Sequence, residues 1–211
     1  LWLTIDRRSK IIATAFLRAF GHEDNAEILG LFYRMDQVTL GRQKVKIGTK
    51  AHDPKDLVGR IVGADIIDPE SGEILADAAD ELTPQAVDRL MRSHAKDMTI
   101  INAEDYAKDS AVATTLSLDP TQTTDDAYRE VYSRIRPGDP ATDATCRTFF
   151  QKLFFDASRY DFAPVGRYKI NRKLGLSTSQ ETKTLTKEDV IRTVQYLVKL
   201  RGGEGVLDDI D

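Results

Sequence analysis

The chain has 211 residues, 41% of them hydrophobic and 30% charged, with a formal net charge of −4. That length suits one or two domains with a real core, and the acidic balance argues against a free nucleic-acid-binding module, which would be basic overall. No apolar run approaches the roughly 18–20 residues that span a bilayer, and the single cysteine, Cys146, excludes an internal disulfide and makes no metal site of its own.

In chain order, Ser9 is a candidate cap for a helix with Ile11, Ile12, Ala15, Phe16, Ala19 and Phe20 on its apolar face, stopped by Gly21. Asp24, with Glu27 three residues on, reads as a capping box that opens a second helix, with Ile28, Leu31, Phe32 and Met35 inward. Near Gln37 the character changes. QVTLGRQKVKIG and DLVGRIVGADII are rich in Val and Ile and broken by glycines, which predicts strands. DPESGE supplies a turn and EILAD the returning strand. Thr83 as cap and Pro84 at the first position open a helix, and residues 98–101 (MTII) form a short strand. After LSLDPTQ, Thr124 caps a helix with Tyr128, Val131, Tyr132 and Ile135 on one face, ended by Pro137 and Gly138. Thr142 begins another, whose Phe149, Phe150, Leu153 and Phe154 belong to a core, with Cys146 as a small core residue. Thr186 and Asp189 make a capping box for the last helix, with Ile191, Val194, Leu197 and Val198 as its stripe and Gly202-Gly203 at its end. The pattern predicts an α+β fold. A mainly helical domain, residues 1–39 and 117–211, is interrupted by a small β-rich insertion, residues 40–116.

Little here could catalyse a reaction alone. His22, His52 and His94 are far apart, with no HExxH and no cysteine partner. The GxxxxGK[ST], GxGxxG and GxSxG motifs are absent. The acids of DPTQTTDD and DDID lack EF-hand spacing and read as solvated loop or helix N-terminal acids. No catalytic residue and no metal site are expected.

One run opposes the sign of the whole chain. Residues 156–173, DASRYDFAPVGRYKINRK, carry Arg159, Arg167, Lys169, Arg172 and Lys173, with Tyr160, Phe162 and Tyr168 interleaved. Such a patch is either a solvated face whose aromatics pack inward or a surface for a phosphate backbone.

The wording of the run resembles the bacterial RNA polymerase β subunit, in the lobe that lines the DNA channel. So does FFDASRYDFAPVGRYKINRKLGL as a whole, and three further blocks agree in family order: LTIDRRSKIIATAFLRAFG, YREVYSRIRPGDPAT and LTKEDVIRTVQYLVKLRGGEGVLDDID. The chain starts at Leu1 and stops in DDID, as a piece of something larger would.

The resemblance implies part of a DNA-directed RNA polymerase, a cytoplasmic, nucleoid-associated nucleotidyltransferase, with this piece inactive alone. Paired metal-binding carboxylates would do the chemistry, and the resemblance assigns them and their Mg2+ to the β′ subunit. Implied partners are DNA, the β′, α and ω subunits, and sigma factor, with no membrane. Arg136 in RIRPGD and Arg159 in SRYD match family arginines near the separated nontemplate strand. Arg167, Lys169, Arg172 and Lys173 extend the basic surface or pair with acids. Ile210 and Asp211 match residues of a pocket for a nontemplate guanine. Pro137, Gly138, Asp139 and Pro140 match the gate loop, where elongation factors can touch. The other class of reading is a structural domain that docks proteins through its β-rich insertion.

Overall fold

The computed structural model describes residues 1–5 and 9–207. Its elements run β1 (Trp2–Thr4), β2 (Lys10–Ile12), α1 (Ala13–Ala19), α2 (Asn25–Gly30), β3 (Met35–Leu40), β4 (Val45–Ile47), β5 (Lys50–His52), β6 (Ile66–Ile67), β7 (Ile74–Ala76), α3 (Pro84–Arg92), β8 (Asp97–Ile101), α4 (Ala103–Lys108), α5 (Ala111–Leu116), α6 (Thr124–Ile135), α7 (Asp143–Phe155), α8 (Pro164–Leu174) and α9 (Lys187–Arg201). The fold is α+β. The chain forms two compact units, a helical unit of Leu1–Glu23 and Pro120–Asp211 and a sheet unit of Asp24–Asp119.

The helical unit is organised around aromatic rings. Phe16 of α1 and Phe20, its C-cap, meet Phe150 and Phe154 of α7 edge-on, with centroids 4.9–5.5 Å apart. Ala127, Tyr128, Val131 and Tyr132 of α6 close the same core, and Cys146 is buried within it. Edge-to-face pairs add to the area each ring buries. The expected helix start at Ser9 gives way to strand β2, which pairs antiparallel with β1. Two β-branched isoleucines, Ile11 and Ile12, favour the extended form there, and the helix begins only at Ala13. The cap of α6 is Thr123 rather than Thr124, and Thr123 with Asp126 completes a capping box. Thr142 caps α7 as expected, and Thr186 with Asp189 forms the capping box of α9.

The sheet unit packs α3 beside a four-stranded antiparallel sheet ordered β5-β4-β3-β8. Val38, Val45, Met98 and Ile100 supply its buried face, with Leu57, Leu82, Val87 and Leu90 packed on them. Thr83 accepts the Ala86 amide and Pro84 follows, as the sequence predicts. The DPESGE turn joins β6 to β7, and Asp68 accepts the amides of Glu70 and Ser71. DLVGRIVGADII is less regular than expected. It holds isolated bridges at Ile61 and Val62 and a two-residue strand, β6. Gly63 explains part of this. A Cβ there would lie 2.9 Å from Met35 Sδ and 3.1 Å from Thr99 Cγ2, so glycine lets this backbone donate to the Thr99 carbonyl without displacing those side chains. Strand β3 begins at Met35, so the strand-rich segment opens ahead of residue 40.

Candidate nucleic-acid interface

The basic run does not form one surface. Its centre folds as α8, with Pro164 at the first turn and Gly175, at φ +67°, as the left-handed cap. Successive residues of a helix are turned by about 100°, so Arg167 and Lys169 point roughly opposite ways.

Arg167 is fully buried. Its Nη1 donates to both carboxylate oxygens of Asp189 at 2.7 Å. Its Nε donates to the Thr182 carbonyl at 3.1 Å and its Nη2 to the Thr184 carbonyl. Its guanidinium also lies 5.3 Å from the Phe162 ring centre. Asp189 is the capping-box acid of α9, so one carboxylate serves the cap and the ion pair together. Arg167 is therefore corrected from a surface contact to an interior clamp that ties the loop before α9 onto α8.

Tyr160 and Phe162 turn inward as well. The Tyr160 hydroxyl donates to the Phe154 carbonyl and accepts the Leu185 amide at 3.0 Å. Lys169, Arg172 and Lys173 line a groove of about 970 Å³ between α8 and α9, walled by Val165, Leu174, Leu197 and Leu200. Lys173 is half-buried. Its ammonium donates to the Val206 carbonyl at 2.9 Å and sits 4.9 Å from the Tyr196 ring centre.

Arg159 belongs elsewhere. With Arg136 it lines a shallow groove of about 440 Å³ together with Tyr132, Thr145, Thr148, Phe149 and Lys152. Arg136 ends α6, and its guanidinium stands 5.2 Å from the Phe149 ring centre. Asp139 lies 3.7 Å from it, and both side chains are about half exposed. Thr145, Thr148, Phe149 and Lys152 recur at helical spacing and form one face of α7. The lining contains no carboxylate, although the chain as a whole is acidic. Asp156 is the nearby counter-charge. Its carboxyl is held below the usual range, first by the Ser158 hydroxyl and amide, then by Arg159 and Lys152.

The two helices that carry this groove are clamped at their N-terminal ends. Arg129 donates to Asp126 and to Asp143, each at 2.7 Å. Both carboxyls are held below the usual carboxylate range, Asp126 chiefly by the Thr123 hydroxyl and Asp143 chiefly by Arg129. The loop of Pro137, Gly138, Asp139 and Pro140 is exposed at the rim, with Gly138 at φ +91°. Ile210 and Asp211 lie outside the described residues. Lys152 escaped the sequence reading, although its place seven residues after Thr145 on one helix face was a usable signal.

Among the described residues, no group of three or more His, Cys, Asp or Glu is placed to hold a metal ion. Among them also, no helix is long and apolar enough to cross a membrane.

Comparison with known proteins gives a consistent result. The family described as RNA polymerase Rpb2, domain 2, matches residues 98–211. A DNA-directed RNA polymerase subunit beta from Protochlamydia amoebophila is 40% identical over 210 residues, covering 97% of this chain and 16% of that protein. The subunit beta of Fusobacterium nucleatum is 36% identical, covering all of this chain and 18% of that protein. The subunit beta of Sorangium cellulosum is 31% identical, again covering all of this chain and 19% of that protein. The chain thus spans less than a fifth of the length of these relatives.

Proposed function

Because this chain belongs to the RNA polymerase Rpb2, domain 2 family, we propose that it works within a DNA-directed RNA polymerase and guides a separated DNA strand along the groove of Arg136 and Arg159. One observation carries the reading. Two arginines 23 positions apart in the numbering converge on a single concavity whose lining holds no carboxylate, with Asp139 3.7 Å from Arg136 as a half-exposed counter-charge. Even a solvent-open groove lined by one sign of charge raises the local concentration of an oppositely charged ligand. Guanidinium groups grip phosphate through paired hydrogen bonds and stack on unpaired bases, which suits a single strand. Phe149 lies against the Arg136 guanidinium and limits its rotamers before the strand arrives.

The role is grip and guidance. The Arg136 and Arg159 N–H groups donate to phosphate oxygens, and no bond of the nucleic acid breaks here. Nucleotide addition belongs to the whole enzyme, with its Mg2+ held by the β′ subunit. The α and ω subunits and sigma factor are the remaining proposed partners. The loop of Pro137, Gly138, Asp139 and Pro140 offers elongation factors an exposed contact at the groove's rim. The enzyme would work in the cytoplasm, on nucleoid DNA.

The test is binding of a labelled DNA fork to the chain at low salt. The wild type is expected to bind, with affinity falling as salt rises. Arg136→Ala and Arg159→Ala each remove about 0.7 from the log–log salt slope, the value for one phosphate of a single strand. Unchanged slopes in both variants contradict the reading.

A further inference from the structure

We infer that Lys152 is a third phosphate-contacting residue of this groove, and that the ligand segment spans the distance from Arg136 past Lys152 to Arg159. The inference rests on the groove reading above and extends it to a residue that neither the family resemblance nor the sequence motifs single out.

Lys152 stands in the last turn of α7, exposed, on the same helix face as Thr145, Thr148 and Phe149. It lines the groove with both arginines. Neither Lys152 nor Arg159 forms an ion pair with a described residue, whereas Arg129, Arg134, Arg147 and Arg192 of the same unit each do. The nearby Asp156 is engaged with the Ser158 amide and hydroxyl at 2.9 and 2.7 Å. It attracts Lys152 without closing on it. An ammonium on a flexible stem adds a point charge to the lining that the two planar guanidiniums share, and follows a phosphate backbone that they hold by stacked or bidentate contacts. The hydroxyls of Thr145 and Thr148 line the same wall as further donors to phosphate or sugar oxygens. A competing role for Lys152 is simple complementation of the α7 dipole, since a cation in the last turn stabilises a helix. The two roles differ in what they respond to. Dipole complementation shows in thermal stability, and phosphate contact shows in counterion release.

The experiment is fluorescence anisotropy of a labelled oligothymidylate with the 211-residue chain over a salt series. Wild type, Lys152→Ala, Lys152→Gln, Lys152→Arg, Arg136→Ala and Arg159→Ala are compared, each with a circular-dichroism melt. Expected is a fall of about 0.7 in the slope for Lys152→Ala and Lys152→Gln and its return in Lys152→Arg. A wild-type slope in Lys152→Ala and Lys152→Gln, with reduced slopes in both arginine variants, overturns the inference and leaves the groove reading standing. A wild type that shows no salt-dependent binding overturns the groove reading, and the inference with it.

Discussion

The helical unit carries two grooves that share no lining residue, and they use positive charge in different ways. The groove at Arg136, Lys152 and Arg159 has cations over a threonine and aromatic floor. The groove between α8 and α9 has Lys169, Arg172 and Lys173 beside Val165, Leu174, Leu197 and Leu200. In the first, Arg136 pairs with Asp139 at 3.7 Å, while neither Lys152 nor Arg159 pairs with a described carboxylate. In the second, Lys173 is occupied with the Val206 carbonyl and the Tyr196 ring. Arg167 is buried against Asp189, which also lines the second groove. One run of sequence therefore supplies a groove-lining arginine, an interior clamp and a set of helix-edge cations. Charge density along a sequence is not charge density on a surface, because a helix turns neighbours to different sides.

The comparison breaks most visibly at Arg167. Replacing it with Met leaves Asp189 buried without its partner, and breaking such a pair costs about 3–5 kcal/mol. Urea unfolding should show that loss, and a change under ~1 kcal/mol would mean that Arg167 is not a clamp. A smaller effect is expected at Lys173. Lys173→Ala removes a half-exposed cation–ring contact, worth about 0.5–1 kcal/mol. The melt should shift modestly while DNA binding stays as it was. Lys169→Ala and Arg172→Ala, on the exposed edge of α8, should change stability by less than ~0.5 kcal/mol.

Acid sharpens the contrast from another side. Asp126 and Asp143 hold α6 to α7 through Arg129, and both titrate below the ordinary carboxylate range. A carboxylate whose folded value is depressed stabilises the fold above its unfolded value, near pH 4, and that stability is lost as pH falls through the folded value. Acid titration followed by circular dichroism should show this loss below about pH 4. Asp126→Asn should lower stability at neutral pH and partly flatten the acid limb, because one of the two titrating carboxyls is gone.

Much of this architecture was legible in the sequence. Thr83-Pro84, Thr142 and the Thr186–Asp189 box announced their helices, because a cap is a local interaction within three residues. Strand β8 was legible from MTII for the same reason: β-branched residues favour an extended form that the sheet then pairs. Helix α8 was not read, although Pro164 and Gly175 bracket it as start and stop signals. The five cations of the run obscure its helical periodicity, because they fall on more than one face of the segment. Without that helix, the burial of Arg167 could not be seen, since its partner Asp189 is 22 residues away. The α1 start was misplaced because the β2 pairing that takes Lys10–Ile12 depends on Trp2–Thr4, a tertiary choice. Arg136 and Arg159 were singled out by resemblance. Their convergence, with Lys152 in the same lining, came only from the tertiary packing of α6, α7 and the segment after α7.

The central claim is that the DNA-facing charge lies in the Arg136, Lys152 and Arg159 groove and not on the edge of α8. Salt-dependent binding of forked DNA by two double variants compares these surfaces directly. Arg136→Ala/Arg159→Ala should lose about 1.4 of the log–log slope, two single-strand phosphates, while Lys169→Ala/Arg172→Ala keeps the wild-type slope. Equal losses in the two double variants, or a loss confined to the α8 pair, would contradict the account.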